Sequence, residues 1–133
     1  MPVSVGETVP DFSADATGGA FDFSALRGKT VVLYFYPKVN TPGCTTEGTD
    51  FANLNARFAK AGARVFGVSR DSLKSHQNFK SKMKFPFELI SDPDERLCAL
   101  FSVIKMKNMY GKQVRGIERS TFVIDAGGKL VRE

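Results

Sequence analysis

Apolar residues occur along this chain at two spacings, one typical of buried strands and one typical of helices. The segment from Thr30 to Tyr36 is a continuous run of mostly β-branched and aromatic residues, which predicts a fully buried central strand that ends at Pro37. Apolar residues at i, i+3 and i+7 then predict a helix from Thr41 to Ala61. The residues that share its apolar face are Phe51, Leu54 and Phe58.

The alternation of strand-like and helix-like segments continues to the end of the chain. Residues 14–19 are predicted to form a turn, and Ser72 is a good cap for a helix that runs to about Lys82. The acidic run Asp92 to Glu95 predicts another helix start, because the helix dipole favours negative charge in a first turn. This order favours an α/β fold in which a central sheet carries helices on both faces. The remaining predicted elements are strands at Phe21–Phe23, Arg64–Ser69, Phe87–Ile90 and Ser120–Asp125 and a closing hairpin at 126–132.

The composition is typical of one globular domain. The chain has 133 residues, 42% of them hydrophobic, and 2 cysteines, so it is long enough to bury a core without a disulfide framework. Its longest strictly apolar run, Val31 to Tyr36, is far below the roughly 20 residues of a membrane helix, and the N-terminal residues contain no secretory signal. We therefore expect a single domain over residues 1–133 in a reducing compartment, most simply the cytoplasm, with no membrane partner.

The net charge of +5 allows a second interpretation. Much of the excess lies in two stretches, Lys74–Lys84 and Lys105–Arg119. They indicate either a nucleic-acid-binding surface or solvated faces and loops, and we favour the second because no binding motif accompanies the charge. His76 is the single histidine, so it cannot be half of a two-histidine metal site, and we interpret it as a residue on a helix surface. We expect no metal and no nucleic-acid partner.

One cysteine falls where a helix begins. Thr41 is a good N-cap and Pro42 suits the first helical position, so Cys44 lies in the first turn of the helix that follows the central strand. Backbone N–H groups there lack intrahelical partners, and the helix dipole lowers a thiol pKa from about 8.5 towards roughly 3.5–7.5. Ligands of α/β folds bind at the carboxyl ends of strands, where this loop must lie. The position favours a reactive thiolate over the alternative, a buried structural cysteine.

Several kinds of cysteine chemistry can be compared with the residues around Cys44. A Cys–His hydrolase would need His76 as its base, and nothing around His76 supports that role. A thioredoxin-type oxidoreductase would carry C-x-x-C, whereas Thr45, Thr46 and Glu47 follow Cys44. A lone activated cysteine that attacks an oxidant remains, since thiolate attack on a peroxide O–O bond gives a sulfenic acid. That step needs a hydroxyl or a cation to stabilise the departing oxygen.

The segment around Cys44 resembles the active-site motif of a known family. Residues 37–44 match the P-x-x-x-T-x-x-C motif of peroxiredoxins, and the stretch Tyr34–Gly48 is similar to the bacterioferritin comigratory protein, or peroxiredoxin Q, subfamily. Two further segments agree, Val9–Phe12 and Gly116–Asp125. The resemblance covers nearly the whole chain. It implies a thioredoxin-like fold, with a central mixed sheet flanked by helices and an N-terminal β extension.

The resemblance also implies a role for each residue of the motif. Cys44 would be the peroxidatic cysteine, and Thr41 would hydrogen-bond the peroxide through its hydroxyl. Arg119 would stabilise the thiolate and the charge that develops during the reaction, and Pro37 would shield the site from water. Glu47, one turn after the cysteine, would orient the polar network by pairing with an arginine. Each also has a simpler explanation, as a helix cap, a surface ion-pair residue, a strand end or a complement to the dipole.

The sequence departs from that subfamily in two places. Many members carry a second, resolving cysteine five residues after the first, where this chain has Thr49. Cys98 is the other thiol, and it is either a small buried residue on an apolar helix face or a resolving cysteine that attacks the sulfenic acid after local unfolding. Relatives also continue through one more helix after the final hairpin, so the resemblance implies a domain without that last helix.

The prediction that follows is a thiol-dependent peroxidase with an antioxidant role in cell redox homeostasis. Its substrates would be hydrogen peroxide and organic hydroperoxides, and no metal, haem or flavin cofactor is implied. Because Thr49 replaces the usual resolving cysteine, thioredoxin or another external thiol would regenerate Cys44, in a protein that is a monomer or a weak dimer. The alternatives are a Cys44–Cys98 disulfide cycle, a redox sensor that oxidises without turnover, and a basic nucleic-acid-binding domain.

Overall fold

A central sheet of seven strands organises the chain. The computed structural model describes residues 3–38, 42–109 and 111–132, and the side chains of residues 42, 44, 107–109 and 114 lie outside that description. Nine strands occur in the described residues, seven of them in the central sheet. They are β1 (Ser13–Ala16), β2 (Gly19–Asp22), β3 (Thr30–Phe35), β4 (Ala63–Ser69), β5 (Glu88–Ser91), β6 (Ile104–Met109), β7 (Lys112–Ile117), β8 (Ser120–Ile124) and β9 (Leu130–Arg132). Their order in the main sheet is β2-β1-β5-β4-β3-β8-β9, and β6 and β7 form a separate two-stranded ribbon.

The α-helices match the predicted positions closely except at the start of the third one, whereas a 3-10 helix begins at Phe23, which was predicted to end a strand. This short 3-10 helix covers Phe23–Leu26, and the α-helices are α1 (Pro42–Lys60), α2 (Leu73–Met83) and α3 (Arg96–Leu100). Ser72 caps α2 as predicted, since its side chain accepts from the backbone N–H of Ser75. Within the described ranges, no helix is both long and apolar enough to cross a membrane.

The middle of the sheet is parallel, and this determines which chain ends meet. Strand β3 pairs with β4 in parallel, and β4 pairs with β5 in the same sense. Strand β8 runs antiparallel to β3, with Phe35 opposite Ser120. The carboxyl end of β3 and the first residue of β8 therefore lie at the same edge of the sheet.

Apolar clusters cover both faces of the sheet, which confirms the predicted layers. On one face, α1 and α2 pack through aromatic side chains such as Phe51 and Phe79 against Val32 and Tyr34. On the other face, the 3-10 helix and α3 pack against Leu33 and neighbouring residues of the sheet. The sheet is thus buried from both sides, as expected for the continuous apolar run in β3.

The prediction of where α3 starts is wrong. The acidic residues 92–95 precede the helix instead of forming its first turn, and Glu95 adopts the left-handed conformation (φ 61°). The Asp92 carboxylate instead accepts from the backbone N–H groups of Leu97 (3.1 Å) and Cys98 (2.9 Å). Asp92 therefore satisfies N–H donors of the helix from outside it, which shortens the helix to Arg96–Leu100.

Two strand regions were also missed. Residues 14–16 belong to β1, which pairs with β2 across a tighter turn than the predicted one. The basic stretch Lys105–Arg119 contains the ribbon of β6 and β7. Ile117 of β7 is buried but Met106 of β6 is 60% exposed, so the described apolar side chains of the ribbon do not share one buried face that would give a period-two pattern.

His76 is a further correction, because it is fully buried instead of lying on a helix surface. It shares the inward face of α2 with Phe79, three residues later, and its ring packs edge-on against Tyr36. The i, i+3 pattern of His76 and Phe79 was a usable signal, but the polar identity of the histidine outweighed it.

Gly67 is closely packed between two neighbouring strands, and this packing gives a test of the register. A Cβ added there would lie 2.8 Å from Cδ2 of Leu89 and from Cζ of Tyr34, its two cross-strand neighbours. We expect Gly67→Ala to lower the free energy of unfolding by about 1–3 kcal/mol through overpacking, measured by urea denaturation. Gly116→Ala is the matched control, since a Cβ at that strand position meets nothing within 4 Å. Equal stability of the two variants would contradict this packing.

Candidate active site

The first turn of α1 forms one wall of the candidate site. The helix begins at Pro42, as predicted, so Gly43 and Cys44 lie in its first turn, directly after the loop that leaves β3. Backbone N–H groups of a first turn have no intrahelical acceptor and favour negative charge. Thr41 and the Cys44 side chain fall outside the described residues, and their predicted roles stay predictions.

Arg119 forms the opposite wall, and the strand register explains its position. It precedes Ser120, which is opposite Phe35 at the end of β3, so it reaches the edge where α1 begins. Its guanidinium lies against Gly43, where an added Cβ would be 2.8 Å from Nη2. Sequence reasoning missed the role of this glycine, whose missing side chain lets the cation approach the helix backbone beside Cys44.

Glu47 completes the polar wall and pairs with the arginine, as predicted. Nη1 of Arg119 donates to Oε1 of Glu47 over 3.1 Å, and the Glu47 side chain is 22% exposed. Burial raises the pKa of Glu47 above its ordinary value, against the opposing attraction of Arg119, and nearby Asp50 raises it further. The ion pair fixes the direction of the guanidinium fork while leaving the cation 40% exposed to the groove.

These residues line a groove of about 400 Å³ along α1. One end carries Arg119 and Gly43, and the rest runs beside Phe51 and Leu54. Leu54 is 41% exposed, so the predicted apolar face of α1 is only partly covered by the core. The groove combines a cation and a helix start with an adjoining apolar surface.

Pro37 is half-buried and follows Tyr36, at the end of β3. The structure therefore places Pro37 at the same sheet edge as Arg119. Its predicted function as a shield against water remains a prediction, since it depends on the position of the Cys44 sulfur.

Cys98 lies away from this groove. It is on α3, which packs on the opposite face of the sheet from α1, and it is fully buried. Burial raises the pKa of its thiol far above the ordinary range, and the adjacent carboxylates of Asp92 and Glu95 raise it further. In this environment Cys98 is a protonated core residue, which agrees with the simpler of its two predicted roles.

A second groove, of about 250 Å³, lies where β1 meets the turn before α3. Its lining includes Asp15, Asp92 and Asp94, and it contains none of the described candidate residues. Arg96 also lines it, but the three carboxylates disfavour a thiolate and a departing oxyanion, so we place the chemistry beside Arg119. In the described part of the chain, no group of three or more His, Cys, Asp or Glu residues is arranged to hold a metal ion.

Comparison with known proteins gives consistent matches over most of the chain. The model of the AhpC/TSA family matches residues 5–133. Peroxiredoxin Bcp of Xanthomonas campestris is 62% identical over 108 residues, which cover 81% of this chain and 68% of that protein. Peroxiredoxin Bcp of Bacillus subtilis is 44% identical over 134 residues, covering 100% of this chain and 85% of that protein.

Solved structures agree with these sequence matches. A crystal structure of a mutant Xylella fastidiosa PrxQ superposes with a TM-score of 0.92 at 43% identity, covering 99% of this chain and 85% of that one. A structure of the Xanthomonas campestris bacterioferritin comigratory protein, studied for its alkyl peroxide reduction activity, has a TM-score of 0.86 at 55% identity. It covers 91% of this chain and 78% of that one.

The burial of Cys98 can be tested by alkylation. In a Cys44→Ser variant Cys98 is the one remaining thiol of the sequence. We expect iodoacetamide to leave the folded variant unmodified, because the raised pKa and the burial of Cys98 remove both thiolate and access. Mass spectrometry should detect full modification of the same variant in urea, which serves as the control. Rapid labelling of the folded protein would show that this thiol is accessible.

Proposed function

The chain belongs to the AhpC/TSA family as a peroxiredoxin of the Bcp type, and we propose that it reduces hydrogen peroxide and organic hydroperoxides through a sulfenic acid on Cys44. It is a thiol peroxidase with the predicted thioredoxin-like fold, acting on peroxide at the expense of a thiol reductant. The observation that carries the proposal is the position of Arg119, whose guanidinium lies against the first turn of the helix that contains Cys44. The alkyl peroxide activity studied in the Xanthomonas campestris relative supports the substrate class.

The chemical step uses this arrangement directly. The Cys44 thiolate attacks the distal oxygen of the hydroperoxide, the O–O bond breaks, and the sulfur is oxidised to a sulfenic acid while the peroxide is reduced. The departing oxygen takes a proton and leaves as water or an alcohol. Arg119 and the first-turn N–H groups of α1 stabilise the anionic sulfur before attack and the departing oxygen during it.

Three other residues support the reaction in this proposal. Glu47 holds Arg119 in one orientation through their 3.1 Å hydrogen bond, so the cation is oriented before substrate arrives. Thr41 hydrogen-bonds the peroxide, and Pro37 limits the access of water to the sulfur. The apolar groove beside Phe51 and Leu54 accommodates the carbon substituent of an organic hydroperoxide.

The return to the thiol depends on an external reductant in this proposal. Thr49 occupies the position at which many relatives carry a resolving cysteine, and the Cys98 thiol is buried on the opposite face of the sheet from α1. A disulfide needs the two Cα atoms within about 7 Å, so a Cys44–Cys98 bond requires α3 to unfold locally. Thioredoxin or a small thiol attacks the sulfenic sulfur, releases water and forms a mixed disulfide, which a second thiol reduces.

The assignment of the two cysteines is tested by a pair of serine variants. We expect Cys44→Ser to abolish peroxide consumption with thioredoxin or dithiothreitol, because the nucleophile is lost. Cys98→Ser is the matched control and should retain turnover, since it changes a core residue. Full turnover by Cys44→Ser would refute the assignment. Oxidation of the wild type by peroxide without turnover under any thiol would instead favour the redox sensor.

The contribution of the guanidinium fork is tested by Arg119→Lys. Lysine keeps the positive charge but loses the planar donors, so we expect the rate constant for peroxide reduction to fall by about 10²-fold. Arg115→Lys is the control, because Arg115 pairs with Glu95 outside the groove. Stopped-flow measurement of Cys44 oxidation gives both constants, and an unchanged constant for Arg119→Lys would remove Arg119 from the mechanism.

A further inference from the structure

A group of mostly buried, hydrogen-bonded polar side chains links α2 to the ends of β3 and β4. His76 is fully buried on α2, and both of its ring nitrogens have partners. Nδ1 lies 3.0 Å from the Tyr36 hydroxyl, and Nε2 lies 3.1 Å from Oγ of Ser69. Ser69 in turn donates to the Asp71 carboxylate over 2.5 Å. None of these groups takes part in the proposed reaction with peroxide.

The donor and acceptor of each of these hydrogen bonds can be assigned by starting from Asp71. The Ser69 hydroxyl gives its hydrogen to Asp71, so its oxygen is left to accept from Nε2–H of His76. The ring is then neutral with Nδ1 unprotonated, and Nδ1 accepts from the Tyr36 hydroxyl. Burial lowers the pKa of His76, in agreement with a neutral ring.

Backbone hydrogen bonds connect this group to the carboxyl ends of β3, β4 and β5, at the end of the sheet that carries the candidate site. Tyr36 follows β3, and its backbone N–H donates to Val68 in β4 over 3.0 Å. Ser69 is the last residue of β4, and its carbonyl accepts from the N–H of Asp92, which follows β5. His76 of α2 binds the hydroxyl of Tyr36, so this tyrosine is fixed at both its backbone N–H and its hydroxyl.

Tyr36 is also the last described residue of the sheet edge before Pro37, where the chain bends away. Any displacement of Tyr36 moves Pro37 and the start of the loop that leads to Cys44. Displacements of about 1 Å in a positioned site reduce rates by up to roughly 10²-fold.

We propose that His76 is a positioning residue of the peroxide site, which holds the Tyr36–Pro37 segment in place through its hydrogen bond with the Tyr36 hydroxyl. The inference rests on the proposed peroxidase function and concerns the position of the Tyr36–Pro37 segment, not the charge of the sulfur. It therefore predicts a slower reaction with peroxide at unchanged reactivity of the thiolate towards an alkylating agent.

Three variants test the contributions of the two imidazole nitrogens separately. Tyr36→Phe removes only the hydroxyl that binds Nδ1. In His76→Gln the amide can replace Nε2 but not Nδ1, whereas in His76→Asn the amide oxygen can replace Nδ1. We expect Tyr36→Phe and His76→Gln to slow Cys44 oxidation by hydrogen peroxide at least about fivefold, and His76→Asn to retain more of the rate than His76→Gln.

Two controls distinguish positioning from a general loss of stability. Tyr34→Phe removes a hydroxyl from an equally buried tyrosine two residues earlier on the same face of the sheet, and it should react with peroxide as the wild type does. The rate of Cys44 alkylation by iodoacetamide should be the same in all variants, because it reports the thiolate and not the peroxide geometry. Thermal unfolding establishes that each variant is folded at the assay temperature.

The outcomes separate this inference from the function on which it rests. If the wild type reduces peroxide and Tyr36→Phe matches it, the positioning role is overturned while the peroxidase function stands. Equal losses of peroxide and alkylation rates would also overturn it, since the hydrogen bond would then act on the thiolate. A wild type that does not consume peroxide would overturn the function and this inference together.

Discussion

The pairing of Phe35 with Ser120 is the constraint on which the site depends. It places the end of β3 and the start of β8 at one edge of the sheet, although the residues are far apart in sequence. The helix that carries Cys44 begins just beyond β3, and Arg119 lies just before β8, so one register brings the cation to the helix start. A shift of this register by one residue would turn the buried side chains of β8 to the opposite face, so core packing protects the site geometry.

Close approach at Gly43 is the second requirement. The guanidinium occupies space that a Cβ would need, so the cation reaches the helix backbone only because residue 43 has no side chain. Glu47 holds the fork from the next turn of the same helix. Burial raises the pKa of Glu47, whereas the attraction of Arg119 opposes that rise. The ion pair thus holds the cation in one orientation and offsets part of the cost of burying the carboxylate.

Local sequence was sufficient for the elements whose signals are local. The buried run of β3, the start of α1 at Pro42 and the cap at Ser72 all appear where the sequence predicted them. The resemblance around Cys44 also implied that Glu47 pairs with an arginine, and the structure identifies that arginine as Arg119. The failures have different causes: His76 is buried against Tyr36, which is distant in sequence, whereas Asp92 binds backbone N–H groups of α3 from a position just before the helix. In the ribbon of β6 and β7, Ile117 is buried but Met106 is exposed, so the described apolar side chains give no period-two signal.

Two polar systems lie at the end of the sheet that carries the candidate site, and their burial determines what each can do. Arg119 is 40% exposed, so it can contact a substrate and respond to charge as it develops. His76 is sealed from solvent, and its hydrogen bonds run only to groups of the protein. A sealed, neutral group influences the reaction through the position of its partners, because its own charge does not change during the step. In the proposed reaction, electrostatic stabilisation by Arg119 and geometric positioning by His76 therefore come from different residues.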